Sequence, residues 1–451
     1  WSHVMGAARQ ELIDMIVTED AFSRDRNTIE TMQVEAANAL FQELRGKLPV
    51  LEKRAKEYGI ETVTSFEDLV PLLFAHTVYK SYPESFIEKG RWDRMLRWLS
   101  TLSADDWTGV DVEGVQDADE WLARLKAAGC TVLATSGSSG KCSFLPASET
   151  DRALKHRHFK RAVGWPFAQA DNQYEVFWTG PIEGPNSAIE AGQMARDHWA
   201  RPDRFHNLIK EPLRITDVAE SAALTRKMRE GTATPSEIEA FQQKNAETGK
   251  RVAAGIFEFI DSLLDMRHEP VYISGLWAQH MQIIERAREK GIGDGEFHPD
   301  SIVNAGGGIK GVALPDDYKE QVARFYGDVI RPGAYGMTEM AQVMPRCEAG
   351  RYHRPPGLIW LQLDQTGEKL INASEGVVEG RFAFLDLIYT GRWGGCITGD
   401  KVEIDWSGTC PCGRPGPTIL DTISRYAQPG EDDHIGCAGT IDGYVKGAMG
   451  Q

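Results

Sequence analysis

No run of apolar residues in the chain approaches the ~18 needed to span a bilayer, and the N-terminus lacks the basic start and continuous apolar core of a secretory leader. These absences make a cytoplasmic protein the expectation, with no membrane partner. Basic residues are scarce beside acidic ones: 50 Lys and Arg stand against 66 Asp and Glu, a formal net charge of -16. That balance argues against nucleic acid or an anionic membrane as the main partner, because both reward clustered Lys and Arg. Cysteine is thin, seven residues in 451. An odd, widely spread set argues for reduced thiols or metal ligands over a disulfide framework. Neither an internal repeat nor a low-complexity tract is present. What remains is ordinary globular composition, 41% hydrophobic and 26% charged. The length exceeds what one core usually serves, so two or three subdomains are expected.

Apolar spacing predicts helix from Gln10 to about Gly59, through Ile13, Ile16, Val17, Leu40, Phe41 and Leu44, with Gly59 as a C-cap. Thr64 or Ser65 then starts a helix that Pro83 stops, and a later helix closes at Gly129. Ser148 to Trp165 also has helical spacing. Its Lys155, His156, Arg157, His158, Lys160 and Arg161 make an anion-attracting face or, the favoured alternative, a solvated one. Tyr174–Gly180 and Val271–Trp277 read as strands, the latter followed by a helix ending near Gly291. Ser301–Gly311 reads as a strand entering a glycine turn, and Pro315 to Tyr326 as a helix. This alternation predicts a mainly parallel α/β body. Residues from about Ala200 to Asp265 read as a helical insertion, in which Thr234, Pro235 and Glu237 make a capping box with proline at the first helical position. From Leu358 to Ile404 short β-like runs suggest a small barrel or distorted sheet.

Three stretches carry chemistry. Thr131–Pro146, TVLATSGSSGKCSFLP, feeds β-favouring residues into a Ser/Gly loop with one lysine. Thr135, Ser136, Gly137, Ser138, Ser139, Gly140 and Lys141 could wrap a polyphosphate through hydroxyls, amides and one positive charge. Thr135 stands where a Walker A loop needs glycine and Cys142 where it needs Ser or Thr, and no nucleophile elbow fits. Alone, an ordinary Ser/Gly turn explains the loop equally well. In Ala334–Glu339, a turn at Gly336 holds an aromatic ring, a hydroxyl and a carboxylate. Tyr335 could stack on a base, Thr338 reach a phosphate and Glu339 hold Mg²⁺. Asp400, in Thr398-Gly399-Asp400, could accept hydrogen bonds from ribose hydroxyls.

Taken jointly, TSGSSGK, YGMTE and TGD in this order resemble the acyl-adenylate-forming enzymes, and within them the phenylacetate-CoA ligase branch, over roughly residues 35 to 446. Phe177–Pro185 occupies the place of the acyl-pocket loop and Asn304–Gly311 that of the adenine loop. The resemblance implies an α/β fold: a large adenylating domain over 1–438, with two α/β sheets and a small distorted β-barrel. Its parts would be a helical N-terminal layer over 1–128, an α/β body over 129–330 and a β-rich subdomain over 331–438. A hinge over 439–451 would open a small C-terminal domain that the chain does not contain.

The implied reaction is ATP-dependent activation of a small-molecule carboxylic acid to an acyl-AMP, then transfer to a thiol, most simply that of coenzyme A. An amine or carrier protein as acceptor, or a non-catalytic nucleotide-binding homologue, stays open, as does a homodimer. In this scheme Lys141, Thr338 and Glu339 act on the phosphates and Mg²⁺, Gly307, Gly308 and Tyr335 on adenine, and Asp400 on ribose. Trp178, Thr179, Gly180 and Trp277 line the acid's pocket. The branch similarity of Cys410-Pro411-Cys412-Gly413-Arg414 adds a closed structural Zn²⁺ site of Cys347, His353, Cys410 and Cys412. Two positions depart from the family: Thr440 replaces a hinge arginine, for which Arg425 could compensate, and Ile397 replaces an arginine before TGD.

Overall fold

The computed structural model describes residues 6–135, 141–307 and 313–427, with 433, 435, 443–445 and 449. The chain forms two compact units, Trp1–Ala162 with Ala334–Gln451, and Val163–Gly333.

The first unit opens with helices Ala7–Asp14, Arg26–Arg45 and Pro49–Glu57. The helical stretch predicted from Gln10 is interrupted because Asp25 starts a new helix, its carboxylate accepting from the Asn27 and Thr28 amides. Gly59 ends the layer at φ +66, a conformation glycine adopts without strain. The helix predicted from Thr64 is replaced by a 3-10 turn, Glu67–Leu72, because Pro71 lies inside it and cannot donate an amide. Asp68, in the first turn of that element, accepts from the Thr64 and Ser65 amides that precede it. Phe74–Ala75 then pairs in parallel with Cys396–Ile397, and His76–Lys80 makes a second 3-10 turn. Pro83 does not stop a helix: it sits at the N-cap of Glu84–Glu88, where its missing amide costs nothing.

The core of this unit is a seven-stranded, mainly antiparallel sheet. Its central path runs Tyr352–His353, Thr418–Ile419, Gly395–Asp405, Val377–Asp386, Leu358–Leu363. Leu358–Leu363 is buried on both faces, and Trp360, Phe382, Phe384, Ile404 and Ile419 form its packed interior. Thr131–Ala134 pairs antiparallel with Phe144–Ala147, so the strands that flank the Ser/Gly loop form a hairpin. Helix Glu149–Ala162 follows. Its basic residues divide: Arg157 and Lys160 are exposed, whereas Lys155 and His158 are buried. Neither a solvated nor an anion-attracting face describes those two. His158 instead joins its Nε2 to the Val343 carbonyl at 2.8 Å.

The second unit holds a four-stranded parallel sheet in the order Ala200–Asn207, Tyr174–Trp178, Val271–Leu276, Ile302–Gly306. Phe177, Leu263, Ile273, Val303 and Phe325 pack its core. Ala200–Asn207, read from sequence as the start of a helical insertion, is the edge strand. An edge strand meets water along one side, so it lacks the apolar run that marks its neighbours. The helices Ile215–Glu230 and Pro235–Asp265 follow. The capping box forms as predicted, with Glu237 accepting from the Thr234 amide at 2.8 Å and Thr234 Oγ1 from the Glu237 amide at 3.3 Å. The end of that helix contributes Phe259, Ile260, Leu263 and Leu264 to the core, so it belongs to the body of the unit. Among the described residues no helix is long and apolar enough to cross a membrane.

Candidate functional site

The hairpin that carries the Ser/Gly loop is pinched shut at its base. Thr135 N donates to the Ser143 carbonyl at 3.1 Å, and Ser143 N to Thr135 Oγ1 at 2.9 Å. Ser136, Gly137, Ser138, Ser139 and Gly140 lie outside the described residues. Lys141 donates to the Tyr82 carbonyl and sets its Nζ 4.3 Å from the Tyr82 ring centroid. The buried Tyr82 hydroxyl donates to the Cys142 carbonyl at 2.8 Å. Tyr82 thus orients both residues that end the loop.

Thr338 and Glu339 occupy the corner of a turn closed by Met340 N donating to Met337 O at 3.0 Å. No helix follows directly, and both side chains are half-buried. Gly336 is required before the turn, since a Cβ there would lie 2.6 Å from Val343 Cγ1. Tyr335 pairs with Met344, which turns its ring inward against Tyr352 and Phe382. The open stacking platform expected of Tyr335 is therefore not what the fold presents. Its hydroxyl donates to Asp400 Oδ2 at 2.7 Å. Burial, and then the Asp400 charge, raise the Tyr335 pKa well above its ordinary value, so the hydroxyl stays a donor. Asp400 Oδ1 meets Arg425 Nε at 2.9 Å across the Asp400↔Arg425 register of two antiparallel strands.

Several residues at this site went unassigned in the sequence. Burial lowers the pKa of Lys80; the Glu339 carboxylate raises it and Arg425 lowers it further, which sets a second ammonium in the field of both. Arg381, 1% exposed, forks onto Asp433 at 2.9 Å through both terminal nitrogens and donates to the Thr398 carbonyl at 2.8 Å. Burial raises the Asp433 carboxyl, but His76 and Arg381 together hold it down at about 2. Arg392 donates to the Glu339 carbonyl. No local pattern marks these residues, although Tyr82 and Lys80 lie within the N-terminal stretch that shares the family resemblance.

In the second unit the predicted pocket residues gather at the carboxyl ends of the parallel strands, the edge where open α/β sheets bind ligands. Trp178 packs its indole on Gly192, where a Cβ would lie 2.7 Å from it. Thr179 N donates to the Ser274 carbonyl at 3.1 Å, and Thr179 Oγ1 to Gln279 Oε1 at 2.6 Å. Gln279 also accepts from the Leu276 amide. Thr179 thereby ties the strand end at Trp178, and Gly180 after it, to the first turn of the helix Trp277–Glu289. Trp277 meets Tyr318 edge-on at 5.3 Å. Gly307 has φ +77, and a Cβ there would lie 2.5 Å from Leu276 Cδ2; Gly308 lies outside the described residues.

Cys347, His353, Cys410 and Cys412 come together with all four ligand atoms within 4.8 Å of one another. Two matching turns build the centre. Gly350 N donates to Cys347 O at 2.9 Å and Gly413 N to Cys410 O at 2.8 Å. Each glycine has positive φ, and each cysteine amide is held by the carbonyl four residues on, Arg351 or Arg414. A bidentate Arg414–Glu348 ion pair, at 2.5 and 3.0 Å, ties one turn to the other. His353 Nδ1 meets the Phe22 carbonyl at 2.8 Å, which leaves Nε2 as the lone-pair nitrogen facing Cys412. Burial pushes His353 down to about 4, so the ring is neutral, and pushes Cys410 up to about 12. Burial also raises Cys412, but hydrogen bonds from Arg414 bring it below its ordinary value.

With Zn–S near 2.3 Å and Zn–N near 2.0 Å, a tetrahedral site has edges of about 3.8 Å between sulfurs and about 3.5 Å between sulfur and nitrogen. The observed Cys347–Cys410 separation is 3.8 Å and the Cys412–His353 separation 3.5 Å. The donor set fits a structural zinc ion.

No family model matches the chain, and no curated protein matches it by sequence. Solved structures do match. An open conformation of 2-hydroxyisobutyryl-CoA ligase, in complex with 2-HIB-AMP and CoA, aligns with TM-score 0.55 over 91% of this chain and 79% of its own, at 12% identity. The same enzyme in its thioesterification state, again with 2-HIB-AMP and CoA, aligns with TM-score 0.55 over 91% and 72%, at 12% identity. In its postadenylation state, with 2-HIB-AMP, the TM-score is 0.52 over the same shares and at the same identity. At this identity the likeness defines the fold, which is the α/β fold of an adenylate-forming ligase.

Proposed function

We propose that the protein is an ATP-dependent carboxylate-activating ligase, of the phenylacetate-CoA ligase type, that makes an acyl-AMP and passes the acyl group to coenzyme A. The observation that carries this reading is the joining of three distant stretches within one unit. The Lys141 hairpin and the Glu339 turn share contacts with Arg392, and Asp400 is held by Tyr335 beside that turn.

In the reaction a carboxylate oxygen attacks the α-phosphorus of ATP and pyrophosphate leaves. Little covalent chemistry is asked of the protein; positioning and charge neutralisation supply the rate. Lys141 and the Ser/Gly loop from Thr135 to Gly140 would hold the leaving phosphates, and Thr338 the α-phosphate. Glu339, a half-buried oxygen donor on a pinned turn, suits Mg²⁺ arriving with ATP, which neutralises phosphate charge. Asp400 would take the ribose hydroxyls, a step in which Arg425 yields or shares its carboxylate contact. The family resemblance would give Trp178, Thr179, Gly180 and Trp277 to the acid and Gly307 to adenine. Zinc at the Cys₃His centre is structural in this reading.

Pyrophosphate exchange into ATP with a panel of carboxylic acids tests the proposal. Acid-dependent exchange, followed by a thioester mass on adding coenzyme A, is the expected result. The absence of exchange with every acid would refute the ligase reading.

A further inference from the structure

The connection 387–394, between strands Val377–Asp386 and Gly395–Asp405, is turned inward instead of toward water. Leu387, Ile388 and Trp393 are fully buried, and Arg392 is 2% exposed. Burying a guanidinium is costly unless its donors are used, so what it contacts reveals its role. Arg392 Nη2 donates to the Glu339 carbonyl at 2.8 Å and Nε to the Pro146 carbonyl at 3.1 Å, while its Cζ lies 3.6 Å from the Tyr389 ring centroid.

Those two carbonyls belong to different motifs. Pro146 is on the return strand of the hairpin that ends in Lys141, and Glu339 is at the corner of the turn that carries the candidate metal ligand. The same connection grips each motif a second time. Asp386, where the connection begins, accepts from the Ala341 amide at 2.8 Å and the Gln342 amide at 3.1 Å, just past Glu339. Asp151, just past the hairpin, accepts from the Thr390 amide at 2.8 Å and the Gly391 amide at 3.0 Å. Contact is close enough that a Cβ on Gly391 would lie 2.7 Å from the Ser148 nitrogen.

We infer that Arg392 is a positioning residue that fixes the spacing between the Lys141 hairpin and the Glu339 turn, so that cation and metal-binding carboxylate engage one triphosphate together. The inference rests on the nucleotide reading above. A planar guanidinium can address two carbonyls at once with fixed geometry; an ammonium is a single point donor. Arg392→Lys keeps the charge and loses that geometry.

The test is calorimetric binding of MgATP to wild type and Arg392→Lys, with the Mg²⁺ dependence of pyrophosphate exchange and a melting curve to normalise to folded protein. The expected result is roughly tenfold weaker MgATP binding and a higher Mg²⁺ half-saturation, with the KM of the acid unchanged. A purely structural arginine would lower the melting temperature and leave the affinity of the folded fraction intact, which would overturn the inference. If Arg392→Lys does not fold, Tyr79→Phe replaces it. Tyr79 donates to the Trp393 carbonyl at 3.1 Å and faces Arg392 at 5.3 Å, so its loss loosens the same connection. A shift of about threefold in the same direction is expected, and none would overturn the inference. Wild-type protein that binds no MgATP would sink the nucleotide reading and this inference with it; wild-type binding with unchanged variants removes the inference alone.

Discussion

Replacing Cys410 by serine removes one donor from the Cys₃His centre while keeping the size of the side chain. The cost follows from connectivity. Cys347 and Cys410 are 63 residues apart, and His353 and Cys412 are 59 apart. Cross-linking a chain across about 60 residues restricts the unfolded state by about 4 kcal/mol on the chain-entropy account. At roughly 1.7 °C per kcal/mol for a unit of this size, losing the cross-link lowers the melting temperature by about 7 °C. Metal analysis of protein purified without chelator should find one zinc per chain in wild type and in Cys130→Ser, whose thiol is outside the cluster, and far less in Cys410→Ser. Chelation of wild-type zinc should reproduce the variant's melting curve. Metal-free wild-type protein that melts at the same temperature before and after added zinc would refute the reasoning.

Three further outcomes are expected. His158 is fully buried and burial pushes it down to about 4. The unfolded chain therefore binds the extra proton between about pH 6.5 and 4, so stability falls as pH drops through that window. Urea melts of His158→Gln should show a shallower loss over the same range, and an unchanged slope would count against it. Asp400→Asn removes the negative charge shared by Tyr335 and Arg425 and should weaken ATP binding about tenfold or more by calorimetry; unaltered affinity would remove Asp400 from the ribose role. Gly336→Ala sets a methyl against Val343 and should cost about 1–3 kcal/mol in denaturant unfolding, a result that equal midpoints would contradict.

What could be read from sequence was whatever had a local signature. The inner strands of the second unit showed as short runs of Val, Ile and aromatic residues, and Thr234-Pro235-Ser236-Glu237 announced its helix start because capping is settled within four residues. Ala200–Asn207 escaped because an edge strand pairs on one side only and need not be apolar. His158 looked like surface charge because its environment comes from Val343 and Phe22, distant in the chain. At the site, Lys141, Glu339 and Asp400 stood out through their glycine-rich neighbours. Tyr82, Arg381 and Arg392 did not, since each acts on a carbonyl or carboxylate brought near only by the fold. The cysteine set needed the family resemblance to be grouped, yet the repeated Cys-x-x-Gly of Cys347–Gly350 and Cys410–Gly413 was a local cue to two equivalent turns.

The first unit is assembled from chain on both sides of the second. Phe74 pairs with Cys396, and Arg9 donates to the Leu387 carbonyl 378 residues away. The second unit is one uninterrupted segment, Val163–Gly333. On a ribosome that segment can collapse as soon as it emerges, whereas the N-terminal helices must wait for residues beyond Ala334 before their apolar faces are covered. The waiting interval is the synthesis of at least 171 residues, the length of Val163–Gly333, or on the order of 10–30 s at ~5–20 residues per second. Completion of the first unit's sheet is thereby a late event, gated by translation, and the N-terminal helices stay open to a chaperone until then.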